Sequence, residues 1–319
     1  MSWNIVSEFG VQAWNTAKLR TAFQPVKANH GCAGVDGVTI GQFERRLDAN
    51  ISNLQYELDR GVYFPLPLMK ILVAKKNGEP RKLCIPTVRD RVVHRAVLNR
   101  IAPKLEKEFE ECSFAYRKGR SVKQVVYKIK QYYNEGFRWV VDCDIDTFFD
   151  NVDHNLMLEK FNHFIHDDRI CTLVAQWVKA EVWDGKHLTV LIKGIPQGSA
   201  ISPVLANLFL DELDEAMLAQ GYRYLRYADD YVILCKERRR AFQALELSKK
   251  VLADLLLELD DVEVTSFEKG FKYLGVIFLN SMIMKPFETQ MKQRKVLYYP
   301  PPFNLQAYLL KKHLEAKAG

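Results

Sequence analysis

The chain has 319 residues, 48% hydrophobic and 27% charged, a balance that excludes wholesale disorder and suits one large domain or a few small ones. Lys plus Arg number 46 against 39 Asp plus Glu; the net charge of +7 fits a polyanionic partner, and fits a merely soluble basic protein as well. No apolar run reaches the roughly 18 residues of a membrane span. Met1 to Ile5 lack the basic-then-apolar order of a signal peptide. Six cysteines without a CxxC pair argue against zinc or a disulfide framework, and for buried thiols in a reducing cytoplasm.

Phe43, Leu47, Ile51, Leu54 and Leu58 recur at spacings of three and four, which predicts a helix over 42–60 closed by Gly61. Strands are expected at 68–76 and 81–86, joined by Asn77-Gly78, a strong hairpin signal. Thr87 is placed to cap a helix carrying Val92, Val93, Val97 and Ile101, and Ser121 to cap another through Val125 and Ile129. The β-branched, mostly apolar run from Arg138 to Ile145 reads as a buried strand. Helices follow near 153–163 and 168–180, then a strand at 188–193 and a helix begun by Pro203. Short apolar strands at 222–227 and 231–235 flank Ala228-Asp229-Asp230. A helix at 239–258 and strands near 262–267 and 271–279 complete an α+β layer, a sheet with helices packed on one face.

The acids sit where acids are costly. Asp144 ends a strand otherwise suited to burial, and Asp229 and Asp230 lie between two strands too apolar to face water. An Asp-rich turn is the plain reading of the pair alone. Three such carboxylates on adjacent strands suit hard divalent cations, because magnesium takes oxygen ligands and keeps several waters. Two ions about 4 Å apart can hold the attacking and leaving oxygens of an in-line phosphoryl displacement, the chemistry of nucleotide polymerisation.

Tyr227-Ala228-Asp229-Asp230, within RYADDYVIL, resembles the YxDD box of reverse transcriptases in the form typical of the bacterial group II intron lineage. AGVDGV at 33–38, RKLCIPTVRDRVV at 81–93, FAYRKGRS at 114–121, DIDTFFDNVDH at 144–154, PQGSAISP at 196–203 and GFKYLG at 270–275 match that lineage in order. The resemblance implies a right-hand polymerase. Its fingers would reach to about residue 135 and its palm, with an antiparallel sheet, would run from 136 to 280. The residues 281–319 are then expected to be a linker or a short, remnant thumb.

The same resemblance implies roles. Asp144, Asp229 and Asp230 form the metal-binding triad for two magnesium ions, with manganese as an alternative, and the Ile145 carbonyl completes a shell. Phe149 stands at the steric-gate position, where a ring leaves no room for a 2′-hydroxyl; plain core packing is its bland reading. Lys75 and Arg81 match basic residues that grip the triphosphate, Gln197 and Gly198 contact the nucleotide, and Gly198 is small so that backbone can approach it. Arg117, Lys118 and Arg120 resemble template contacts, and Arg89, Arg91, Arg95 and Arg100 are candidates for the same groove. Tyr273, Leu274 and Gly275 correspond to the primer grip. His154 reads as a helix-start cap rather than as a chemical group.

Two departures stand out. The Lys-Thr pair usual between the YxDD hairpin and the YLG turn is absent, since Val264 precedes Thr265. The stretch after the YLG turn is expected to leave no room for a full thumb, a maturase region or an RNase H domain. In organisation the chain resembles a CRISPR-associated reverse transcriptase, which would take an RNA template, a DNA or RNA primer and dNTPs, and pass DNA to an integrase partner. The alternatives are an antiphage or intron-mobility reverse transcriptase, and a nucleic-acid-binding subunit whose polymerase site is vestigial.

Overall fold

The computed structural model describes residues 14–75, 78–285 and 295–318. The N-terminal part is helical: α1 (Thr16–Ala28), α2 (Ile40–Arg45) and α3 (Leu47–Asp59) lead to the hairpin of β1 (Leu68–Ala74) and β2 (Pro80–Ile85). Next come α4 (Val88–Leu105), α5 (Val122–Asn134), β3 (Trp139–Ile145), α6 (Phe148–Asn151), α7 (His154–Phe164) and α8 (Asp168–Val178). After β4 (Glu181–Trp183) and β5 (Leu188–Val190), α9 (Ser202–Ala219) leads into β6 (Arg223–Tyr227), β7 (Asp230–Cys235) and α10 (Arg238–Asp254). The chain continues through β8 (Leu259–Ser266), β9 (Phe271–Tyr273), β10 (Val276–Leu279), β11 (Met282–Met284), β12 (Val296–Tyr298) and α11 (Leu305–Ala318).

Most expected elements are present, and the differences have local causes. The helix expected over 42–60 is two helices, because Arg46 leaves helical geometry at φ −119°, ψ 32°. Thr87 caps α4 by accepting from the Asp90 amide, whereas the Ser121 hydroxyl turns to Gln124 and makes no backbone cap. His154 is no cap. Asp153 takes that role for α7, and the His154 ring bonds the Gly194 carbonyl at 2.8 Å. The single strand expected over 271–279 is a tight hairpin of β9 and β10, turned by Leu274 and Gly275 at φ +48° and +76°. Asn77, half of the expected hairpin turn, lies outside the described residues. Cys32 is exposed and Cys84 and Cys171 are half-buried, so only three of the six cysteines are the buried thiols expected.

A four-stranded antiparallel sheet, β6-β7-β3-β8, positions the acids. Strand alternation splits its side chains between two cores. Val141, Cys143, Ile145, Tyr231 and Ile233 belong to the large core that includes α9 and α10. Val140, Val232 and Leu234 belong to a second core with Val125 and Ile129 of α5 and the aromatic residues Phe271, Tyr273 and Phe278. The other large sheet joins β12, β1, β4 and β5, with β2 against β1. Thus β4 and β5, from the stretch expected to be palm, pair into the sheet of the N-terminal hairpin. The tail returns to it as well: Leu72 faces Tyr298, and Tyr308 Oη donates to Glu181 Oε2 at 2.5 Å. Among the described residues no helix is long and apolar enough to cross a membrane.

Candidate active site

Antiparallel pairing sets Cys143 opposite Tyr231 and Asp142 opposite Val232, and the same register carried one step further brings Asp144 beside Asp230. Asp229 occupies the two-residue turn between β6 and β7, where Tyr227 pairs with Asp230. Ala228, the first turn residue, is left-handed at φ +64°. The sequence-distant triad is therefore assembled at one end of one sheet.

The electrostatics of this end are those of anions short of a counter-charge. Asp230 is pushed up to about 7 by burial and by the charges of Asp144, Asp229 and Asp142. Asp144 is raised by burial and then by Asp229, and Asp229 is raised by burial while Arg81 pulls it back. Asp142, which sequence reasoning passed over, is held at about 6 by burial, by Glu263 opposite it on β8 and by Asp144. Among the described residues no three ligating side chains converge into a ready-made metal cage. The donor set nevertheless fits a hard divalent cation: it is all carboxylate oxygen, and burial and mutual repulsion leave it destabilised until a cation compensates.

The expected nucleotide-binding residues meet across the sequence. Arg81 Nε donates to Gln197 Oε1 at 2.8 Å, and the Cys84 amide donates to the Gln197 carbonyl at 2.7 Å. These bonds tie β2 to the PQGS loop. Gly198, at φ +119°, has a reason to be small within the fold itself. A Cβ there would sit 2.7 Å from the Cys84 carbonyl oxygen, so the close approach is to β2 itself. Phe149 is buried in α6, edge-on to Phe148, with its carbonyl accepting from the Ile195 amide at 2.7 Å. Lys75 is exposed near the end of the hairpin, 3.5 Å from Glu79. Lys82 reaches Asp150 at 3.7 Å.

The expected template contacts divide. Lys118 is exposed, and Arg120 lies over the Phe114 ring and donates to the Glu111 carbonyl at 2.7 Å. Arg117 turns inward: it donates to Glu106, to the Ser113 carbonyl at 2.9 Å and to the Phe109 carbonyl at 3.1 Å, and only 8% of it is exposed. Its guanidinium builds the loop and has little left for a template. Arg89 pairs with Glu57, Arg91 with the Pro86 and Cys32 carbonyls, and Arg100 with Asp167, so these three serve the fold. Tyr273 is likewise buried. Its hydroxyl donates to the Asp230 carbonyl at 3.0 Å and so braces the strand that carries Asp230 from the YLG hairpin.

Tyr116 was not singled out from the sequence. It is 55% exposed, left-handed at φ +63°, and its hydroxyl is raised by burial and by the charge of Asp229. Its signal in the sequence was an aromatic residue between the small Ala115 and the basic run of FAYRKGRS.

A family model for reverse transcriptase (RNA-dependent DNA polymerase) matches residues 73–278, and the chain belongs to that family. It is 31% identical over 283 residues to protein YkfC of Escherichia coli K12, covering 76% of this chain and 74% of that protein. It is 31% identical over 212 residues to the group II intron-encoded protein LtrA of Lactococcus lactis, covering 66% of this chain and 35% of LtrA. The fold is similar to that of telomerase from Candida albicans, solved with a fragment of telomeric RNA, at a TM-score of 0.56 and 12% identity over 78% of this chain and 51% of that one. The fingers–palm architecture is thus that of the reverse transcriptases, whose activity is RNA-directed DNA synthesis.

Proposed function

We propose that this chain extends a primer 3′-end with deoxynucleotides on an RNA template, with fingers to about residue 135 that β4 and β5 join, and palm over the rest of 136–280. The observation that carries the reading is the carboxylate end of the β3–β7 sheet, with Arg81 close enough to act on Asp229 and bonded to Gln197. Asp144, Asp229, Asp230 and the Ile145 carbonyl would hold magnesium, or manganese in its place. Two such ions, when bound, lower the pKa of the primer hydroxyl and offset the charge of departing pyrophosphate.

The chain's own residues do the rest. Arg81, preset by Gln197, offers a planar cation to the triphosphate. Lys75 adds charge at the hairpin. The Phe149 ring closes the space under the sugar. Lys118 and Arg120 offer positive charge to the template backbone. Leu274 and Gly275 present the tight turn that supports the primer end. The setting proposed with this reading is CRISPR spacer acquisition, with an integrase subunit receiving the DNA; co-purification with that subunit tests it separately.

The test of the activity is primer extension on an RNA template with dNTPs and magnesium, beside Asp229→Asn. Extension by wild type alone supports the reading, with a loss of about a thousandfold or more in the variant. No extension by wild type, with RNA binding retained, would assign a binding role instead.

A further inference from the structure

Arg226 is the largest side chain buried without remainder, and the chemistry proposed above does not use it. A guanidinium has five N–H donors and no way to shed its charge, so its burial is costly unless every face is paired. Here the pairing is complete. Nε donates to Asp214 Oδ1 at 2.7 Å and Nη2 to Asp214 Oδ2 at 2.5 Å, a bidentate fork on a carboxylate that is itself 0% exposed.

The remaining donors reach two different parts of the chain. Nη1 donates to the Ala228 carbonyl at 3.0 Å, in the turn that precedes Asp229. Nη2 donates to Ser113 Oγ at 3.0 Å, in the loop that carries Tyr116. Nη1 also donates to Asn207 Oδ1 at 3.1 Å, and Asn207 Nδ2 donates in turn to the Ala115 carbonyl at 2.9 Å. The backbone repeats the link: Arg226 N donates to the Cys112 carbonyl at 2.8 Å, and Phe114 N to the Arg226 carbonyl at 3.0 Å.

Both anchored segments hold a residue in an unfavourable shape. Ala228 lies at φ +64° and Tyr116 at φ +63°. Left-handed geometry is disfavoured for a non-glycine residue, so each needs an outside restraint to persist. In each case a carbonyl at or next to the strained residue accepts a hydrogen bond from the Arg226–Asn207 pair. Two loops that meet at the triad are thus tied to one buried charge.

We propose, resting on the polymerase reading for its kinetic consequence, that Arg226 is a positioning residue that holds the Asp229 turn and the Tyr116 loop in a single register. Neither loop can shift without breaking the fork on Asp214 or the relay through Asn207. Lysine cannot replace it, since a single ammonium cannot span Asp214, Ala228 and Ser113 together.

Hydrogen exchange on the full chain tests the coupling without requiring activity. In Arg226→Lys, amides of 112–118 and 226–231 should exchange faster together, by about tenfold or more, while those of β3 stay within about threefold of wild type. Ser113→Ala keeps the Arg226–Asp214 pair and guards against a variant that does not fold. It should loosen both segments, by about threefold. Wild-type exchange in both segments, loosening of 112–118 alone in Ser113→Ala, or a uniform rise through β3 would each overturn the proposal. Where wild type extends a primer, Arg226→Lys should lower kcat by about tenfold with KM for dNTP nearly unchanged. An unchanged kcat at a temperature where the variant is folded would also overturn it. If wild type extends nothing, the polymerase reading fails, and the exchange result still decides the coupling.

Discussion

Phe149 is packed edge-on to Phe148 in α6 and its carbonyl ties down Ile195, and the proposed polymerase reading gives its ring a second task, sugar selection. Phe149→Ala should therefore raise the use of ribonucleotides relative to deoxynucleotides by about a hundredfold in kcat/KM, while losing about 3 kcal/mol of stability. The comparison belongs at a temperature where the variant is folded, and unchanged sugar selectivity would leave Phe149 a packing residue only. Gly198 makes a sharper prediction. Any Cβ meets the Cys84 carbonyl at 2.7 Å in a backbone shape that side chains avoid. Gly198→Ala should cost about 2–3 kcal/mol in urea unfolding and weaken the Arg81–Gln197 contact, raising KM for dNTP. These residues also show what sequence can and cannot convey. The acids stood out because a carboxylate in an apolar strand is costly without a use, and the YxDD resemblance joined them into a triad. The inward turn of Arg117 was not legible, since a basic side chain near a glycine looks the same whether it faces solvent or the Glu106 carboxylate and backbone carbonyls.

Among the elements, the strands that carry the triad were legible from β-branched runs alone, but their bracing was not. Nothing in GFKYLG indicates that the Tyr273 hydroxyl crosses to the carbonyl of Asp230. That contact depends on β9 and β10 folding over the Val140–Val232 face, which periodicity does not report. The hairpin itself was hidden because Leu274 is a poor residue for φ +48° and gives no turn signal ahead of Gly275. Tyr273→Phe tests the brace. It keeps the ring in the second core and leaves the Asp230 carbonyl without its hydroxyl partner, so stability should fall by about 1–2 kcal/mol. Turnover should fall by about threefold or more with KM for dNTP little changed, as measured by single-nucleotide extension. Equal rates would mean that the YLG hairpin supports the sheet without influencing the acids.

For the molecule as a whole, the tail matters first. Trp183 Nε1 donates to the Pro301 carbonyl at 3.2 Å and Lys312 pairs with Glu181 at 3.2 Å, so β12 and α11 finish the sheet that holds the Arg81 hairpin. The docking of this tail was not legible, because strand pairing over more than 200 residues leaves no local trace. The acids give the last prediction. Asp230 and Asp211 are held up to about 7, and Asp142 and Asp36 to about 6, each chiefly by burial. An unfolded aspartate titrates near 3.9, so the folded chain binds these protons more tightly than the unfolded chain does. The stability they contribute is complete below about pH 4 and is lost as pH rises through about 6 to 7. In chelator, Tm should therefore be higher at about pH 5.5 than at about pH 8, by about 5 °C. Magnesium at about pH 8 should recover part of that loss, because a cation favours the ionised carboxylates that the proton leaves behind. Asp230→Asn should shrink both the pH-dependent loss and the magnesium recovery, while Asp211 and Asp36 continue to titrate in either protein. A pH dependence untouched by magnesium and by Asp230→Asn would place its origin at Asp211 and Asp36, away from the triad, and would remove the electrostatic case for a metal at this end of the sheet.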